Sequence, residues 1–159
     1  MTSALCSKPS APHTLSDDVA DLSHSNTMAL ACMADSVVTL TDEVQLDEFM
    51  AYYEQDTQHR KPLFVLSGGS NVLLPAKLNA IVLRPQMRGI QVTAQTDSHV
   101  DIEVMAGENW HDLVVHTVAQ GWYGLENLAL IPGLTGAAPI QNIGPSGVQL
   151  EDCLQSVRA

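Results

Sequence analysis

Two stretches bring together residue types able to do chemistry. The first, "SGGSN" from Ser67 to Asn71, sets two consecutive glycines between hydroxyl and amide side chains. Successive glycines let neighbouring backbone N–H groups turn inward as an anion-binding nest, and Ser70 and Asn71 add donors of their own. That is chemistry for a pyrophosphate. The dinucleotide fingerprint GxGxxG is absent, and no lysine stands where a nucleotide-triphosphate loop needs one. Read alone, the segment fits an unliganded turn as well as a site. The second stretch, "IPGLTGAAPIQNIG" from Ile131 to Gly144, carries no charged side chain in a chain with 18 Asp plus Glu. Gly133, Gly136 and Gly144, with Ala137 and Ala138, leave a surface without bulk, and Gln141 and Asn142 offer paired donors and acceptors. Such a surface suits a large flat ligand with hydrogen-bonding edges, or an ordinary turn-rich connection.

The elements that must carry these stretches can be read from local pattern. "DSVVTL" is a β-branched strand running up to Thr41, the expected N-cap of a helix with Asp42 and Glu43 in its first turn. Leu46, Phe49, Met50 and Tyr53 recur at i, i+3, i+4 and i+7, which predicts one apolar helical stripe against a sheet. The apolar run from Leu63 to Leu66 predicts a short buried strand that delivers the chain into "SGGSN". Ala80 to Arg84 and Val100 to Ala106 read as further strands, the latter half-buried. "NWHDLVVHTVAQG" predicts a second helix, with Asn109 as N-cap, Trp110, Leu113, Val114, Thr117 and Val118 on one face, and Gly121 ending it. Beyond Val148 a short helix or strand is the most the pattern allows.

Composition narrows the function classes. The chain of 159 residues has 45% hydrophobic content, enough for one core or two small lobes sharing a cleft. A net charge of −11 with seven Lys plus Arg disfavours nucleic acid and anionic membrane surfaces as partners. "MALACMA" from Met28 to Ala34 is preceded by Asp17, Asp18 and Asp21 where a signal peptide needs basic residues. Cys6, Cys32 and Cys153 are odd in number and widely spaced, so neither a disulfide framework nor a zinc site is signalled, which suits a reducing cytoplasm. His111 and His116, five residues apart, fall on different faces of a helix and do not form a metal pair. Residues 1–25, polar and rich in Pro and Ser, are expected to form a poorly ordered leader.

A flavin needs both an anion nest for its pyrophosphate and close backbone approach for its ring. "VLSGGSNVLL", "AGENWHDLVVHTVAQGWYGLENLALIPGLTGAAPIQNIG" and the more diffuse "SNTMAL" closely resemble the bacterial UDP-N-acetylenolpyruvoylglucosamine reductases, flavoenzymes of peptidoglycan precursor synthesis. The resemblance implies an α+β chain with the FAD-binding fold of the vanillyl-alcohol oxidase (PCMH) type, two α+β subdomains gripping FAD over residues 26–159. It further implies that Gly68, Gly69, Ser70 and Asn71 hold the FAD pyrophosphate. Pro132, Gly133, Gly136, Ala137, Ala138, Gln141, Asn142, Ile143 and Gly144 would line the flavin. Glu126 in "GLEN" matches the family as well, in a structural or a catalytic role.

In that family NADPH gives a hydride to FAD, and the reduced flavin passes it to the enolpyruvyl double bond of a nucleotide sugar. The product is UDP-N-acetylmuramate. The family's proton-donating serine, its carboxylate-polarising arginine and its glutamate lie in motifs that have no counterpart in these residues, so no catalytic residue is assigned. The family's chains are about twice as long, so the expectation is a flavin-binding domain incomplete at its C-terminal end, with the substrate domain absent. The chain also has "NIGPSG" where the family usually has "NIGAYG", which removes a backbone donor at Pro145 and an aromatic ring at Ser146.

Overall fold

The structure, a computed structural model, describes residues 15–16, 19–55, 61–145 and 147–158. Its first lobe is built on a mixed sheet with β3 (Met33–Leu40) near the middle. β1 (Leu15–Ser16) and β2 (Ala20–Asp21) pair antiparallel with β3, while β5 (Lys77–Pro85) runs parallel on its other side and β4 (Leu63–Val65) runs parallel beyond β5. β3 alternates strictly, burying Ala34, Ser36, Val38 and Leu40. β5 instead buries Ala80 through Leu83 without a break, the pattern of a parallel strand covered on both faces.

The crossover from β3 to β4 is α1 (Glu43–Gln55), and the predicted stripe is the one used. Phe49 is fully buried, and Leu46, Met50 and Tyr53 pack beside it against Val38, Leu40, Ile81 and Leu83. The cap differs from expectation by one residue. Asp42 Oδ1, not Thr41, accepts the Gln45 N–H at 2.8 Å, and the Gln45 side chain reaches back to the Thr41 N–H at 2.9 Å. A carboxylate is the better acceptor at this position and also complements the positive end of the helix. The predicted buried strand at Leu63 to Leu66 is an edge strand: Val65 is 61% exposed and only Leu66 is buried. Three residues at a sheet edge need no apolar cover on their outer side, so hydrophobicity alone overstated their burial.

The opposite face of the sheet packs on Leu22, Cys32, Leu66 and Leu74. The packed part of the chain therefore begins before Asn26. Among the described residues of the expected leader, Ala20–Asp21 pair with β3 and Leu22 is buried in this core; residues 1–14 and 17–18 lie outside the described residues. Burial pushes the Cys32 thiol above its ordinary range, which keeps it protonated and inert.

Asn26 holds the turn between these pieces. It is buried, donates through Nδ2 to the Leu22 and Leu30 carbonyls at 3.0 and 3.1 Å, and accepts the Leu30 N–H at 2.9 Å. Asn26→Leu would leave the Leu30 N–H and carbonyl without partners, while the Leu22 carbonyl keeps the Ser25 N–H, at a cost of about 1–3 kcal/mol for each unsatisfied group. The expected result is a variant destabilised by about 3 kcal/mol in urea denaturation. A midpoint within error of wild type would contradict this account of the turn.

The second lobe carries the hairpin β6 (Ile90–Gln95) and β7 (Val100–Val104), then α2 (Trp110–Ala119) and 3-10 turns at Glu126–Leu128, Thr135–Ala137 and Leu150–Asp152. Its core is Trp110, Leu113, Val114, Leu128, Ala138, Ile143 and Leu150. α2 has both expected ends. Asn109 Oδ1 accepts the Asp112 N–H at 3.1 Å. At the other end Gly121, at φ 76, donates to the Val118 carbonyl while Trp122 donates to that of Thr117, a complete Schellman closure. Val118, predicted on the buried face, is exposed. The lobes join where Gly107 crosses the end of β5: its N–H donates to Met87 O at 2.8 Å, and a Cβ there would lie 2.5 Å from the Gln86 carbonyl carbon.

Candidate flavin site

Fold topology brings the two glycine-rich stretches together although 59 residues, 72–130, separate them. "SGGSN" is the loop leaving β4, and it meets the segment after Leu130 face to face. A Cβ built on Gly68 would lie 3.3 Å from the Gly133 Cα, and the Ser70 hydroxyl donates to the Pro132 carbonyl at 3.2 Å. Gly133 sits at φ 128, a conformation open to glycine, with Ser70 Oγ on the side where its own Cβ would be.

Among the described residues, no acceptor is found for the N–H groups of Ser67, Gly68, Gly69, Ser70 and Asn71. The Ser67 hydroxyl is likewise buried without a partner. A row of unpaired amides is costly unless water or an anion meets it. Gly69 serves a different purpose from its neighbour. It stands at φ 65, its carbonyl accepts the Thr27 N–H at 3.1 Å, and a Cβ would lie 2.1 Å from the Ser25 carbonyl oxygen. Its missing side chain makes room for the Ser25–Asn26 backbone, so "SNTMAL" is the wall that shapes the loop.

The remaining predicted residues divide by which way they face. The Gly136 N–H donates to Ala106 O at 3.0 Å, and a Cβ there would collide with the Ala106 Cβ at 2.7 Å. Gly144 admits Val148 O to the same kind of contact, while Leu150 donates to Ile143 O at 3.0 Å. Ala138 and Ile143 are core residues of the second lobe, so their side chains face away from any cleft and only their backbone could touch a ligand. Ala137 and Gln141 are half-buried, and Pro132, Asn71 and Asn142 are exposed, with Asn142 in the left-handed region at φ 45. Pro145 is exposed, and Ser146 lies outside the described residues.

Nearby carboxylates are committed to backbone. Glu126 accepts the Gly124 N–H, which holds its carboxyl below the usual carboxylate range, with a smaller contribution from its own backbone N–H. That contact is a structural one, within its own turn. Glu108 takes the Gly89 N–H at 2.8 Å and pairs with Arg88 at 3.2 Å, contacts that sequence reading missed. Among the described residues there is no cluster of three or more His, Cys, Asp or Glu side chains able to hold a metal ion.

A family described as "FAD binding domain" matches residues 34–159. The chain belongs to that family. It is 96% identical over all 159 residues to the UDP-N-acetylenolpyruvoylglucosamine reductase of Psychrobacter cryohalolentis, and 89% identical to that of Psychrobacter arcticus, spanning 43% of the length of each. The chain thus spans less than half of the curated relatives it matches. The crystal structure of the UDP-N-acetylenolpyruvylglucosamine reductase from Thermus caldophilus superposes with a TM-score of 0.62 over 87% of this chain and 46% of the other, at 23% identity. The fold is therefore the α+β FAD-binding fold expected from the sequence.

The residues present fit such a cofactor. The unpaired amides from Ser67 to Asn71 match the charge of a pyrophosphate, and the glycine pair Gly68 and Gly133 lets that loop pack backbone to backbone against the uncharged segment.

Proposed function

We propose that this chain forms the flavin-binding part of a UDP-N-acetylenolpyruvoylglucosamine reductase, which reduces the enolpyruvyl group of the nucleotide sugar to UDP-N-acetylmuramate at the expense of NADPH. The observation that supports it best is the row of unpaired amides in the "SGGSN" loop set against Gly133, in a chain so similar to reductases of that name. When bound, FAD supplies the hydride-transfer chemistry.

The chain's own residues bind and orient. The backbone N–H groups of Gly68, Gly69, Ser70 and Asn71 hold the pyrophosphate through fixed partial charges. Pro132, Gly133, Gly136, Ala137, Gln141, Asn142 and Gly144 line the flavin, with Ala138 and Ile143 contributing backbone only. No charge stands in this lining because a desolvated charge beside an uncharged ring is costly unless paired. The acid that protonates the substrate carbon is not assigned to any residue of this chain. The acidic surface argues against nucleic acid as a partner, and no helix among the described residues is long and apolar enough to cross a membrane. A cytoplasmic setting agrees with a nucleotide-sugar substrate and NADPH.

A second reading is a flavin-binding module without reductase activity, because the amide row and the Gly68–Gly133 junction account for cofactor binding and for no catalytic step. Two measurements separate the readings. Titration of the protein with FAD, followed by quenching of flavin fluorescence, is expected to show one site; no quenching would reject both. NADPH consumption is then read with and without UDP-N-acetylenolpyruvoylglucosamine. A substrate-dependent rate places the reaction within these residues, and its absence from FAD-loaded protein favours the module.

A further inference from the structure

α2 grips the flavin-lining segment with three consecutive residues. Asn109 forms a bridge with Leu134, the Trp110 N–H donates to Gly133 O at 3.0 Å, and the Trp110 indole donates to Leu128 O at 2.7 Å. The fourth contact runs the other way: the Leu130 N–H donates to His111 Nδ1 at 3.3 Å. Leu130 is a left-handed non-glycine residue at φ 63, a conformation that surroundings must enforce, and its side chain is 79% exposed and adds no packing there. Two residues later come Pro132 and Gly133, which face Ser70 and Gly68.

We infer that His111 is a positioning residue for the flavin site: its Nδ1 lone pair fixes the Leu130 backbone and so sets how closely Pro132 and Gly133 approach the "SGGSN" loop. The inference rests on the flavin-binding reading above. It needs an acceptor at Nδ1, hence the tautomer with the proton on Nε2, and assigns no contact between His111 and the ligand.

The geometry makes a specific demand on substitutions. Asparagine can offer a side-chain carbonyl near the position of Nδ1, while phenylalanine keeps a planar ring of similar size and offers no acceptor. The experiment measures FAD affinity by fluorescence quenching, thermal stability by circular dichroism, and amide exchange at Leu130 for wild type, His111→Phe and His111→Asn. His111→Phe should weaken FAD binding about tenfold and speed Leu130 exchange, with little change in melting temperature. His111→Asn should recover most of the affinity and the protection. Wild-type affinity in His111→Phe, or an Asn variant as weak as the Phe variant, would overturn the assignment. A wild-type protein that binds no FAD would instead reject the flavin reading, and this inference with it.

Discussion

Gly68→Val should strip the protein of FAD while leaving the fold in place. Gly68 is exposed, is not in the left-handed region, and packs against the second glycine-rich stretch: a Cβ would lie 3.3 Å from the Gly133 Cα, 3.8 Å from its carbonyl carbon and 3.9 Å from Leu134 Cγ. A β-branched side chain adds two methyl groups beyond that point, so the two loops must part. That separates the amide row from the segment it faces. Loss of both contacts is expected to weaken FAD binding by at least about 100-fold, near 2.7 kcal/mol, while the melting temperature moves by only a few degrees. Gly69 gives no such clean test. A side chain there drives into the Ser25 carbonyl at 2.1 Å from a φ of 65, so Gly69→Asp removes flavin binding by disrupting the loop's packing as well as by charge. The two variants should therefore differ in stability far more than in flavin affinity. Unchanged FAD affinity in Gly68→Val would show that the junction of the two loops does not serve the ligand.

Local signals proved the legible ones. The α1 stripe, the Asn109 cap and the Gly121 stop each depend on residues within a turn or two of each other, and all three stand in the structure. What sequence could not separate was the purpose of each glycine. Gly68 and Gly133 let the two glycine-rich stretches pack on each other, whereas Gly69, Gly136 and Gly144 make room for other parts of the chain at Ser25, Ala106 and Val148. Both uses require a missing Cβ, and only the fold shows which neighbour fills the space. Ala138 and Ile143 were hidden for the same reason: a small or apolar residue in an uncharged loop fits a core as well as a cleft. Asn26 carried no local signal, because its partners at Leu22 and Leu30 are backbone groups of a turn no periodicity announces. β6 was legible and overlooked, since Ile90, Val92 and Ala94 alternate as a strand should.

Trp110→Ala should cost more stability than any other single change in the second lobe. The indole is 4% exposed at the centre of a core that includes Leu113, Leu128, Ala138 and Ile143, and its N–H satisfies the buried Leu128 carbonyl. Truncation removes the ring's burial and leaves a cavity, together worth about 3–5 kcal/mol, and the orphaned carbonyl adds to that. Against a total stability of roughly 5–15 kcal/mol, the lobe is left marginal, and a fall in melting temperature on the order of 10 °C is expected. Trp110→Phe keeps most of the volume and loses the hydrogen bond, so it should fall between the two. Flavin affinity in Trp110→Ala should drop with stability, because the same residue ties Leu128 and Gly133 to α2, whereas Gly68→Val lowers affinity alone. Denaturation of the three proteins with and without FAD reads both effects at once. A Trp110→Ala variant that melts with wild type, or that keeps wild-type flavin affinity while destabilised, would show that the flavin segment does not depend on the helix that grips it.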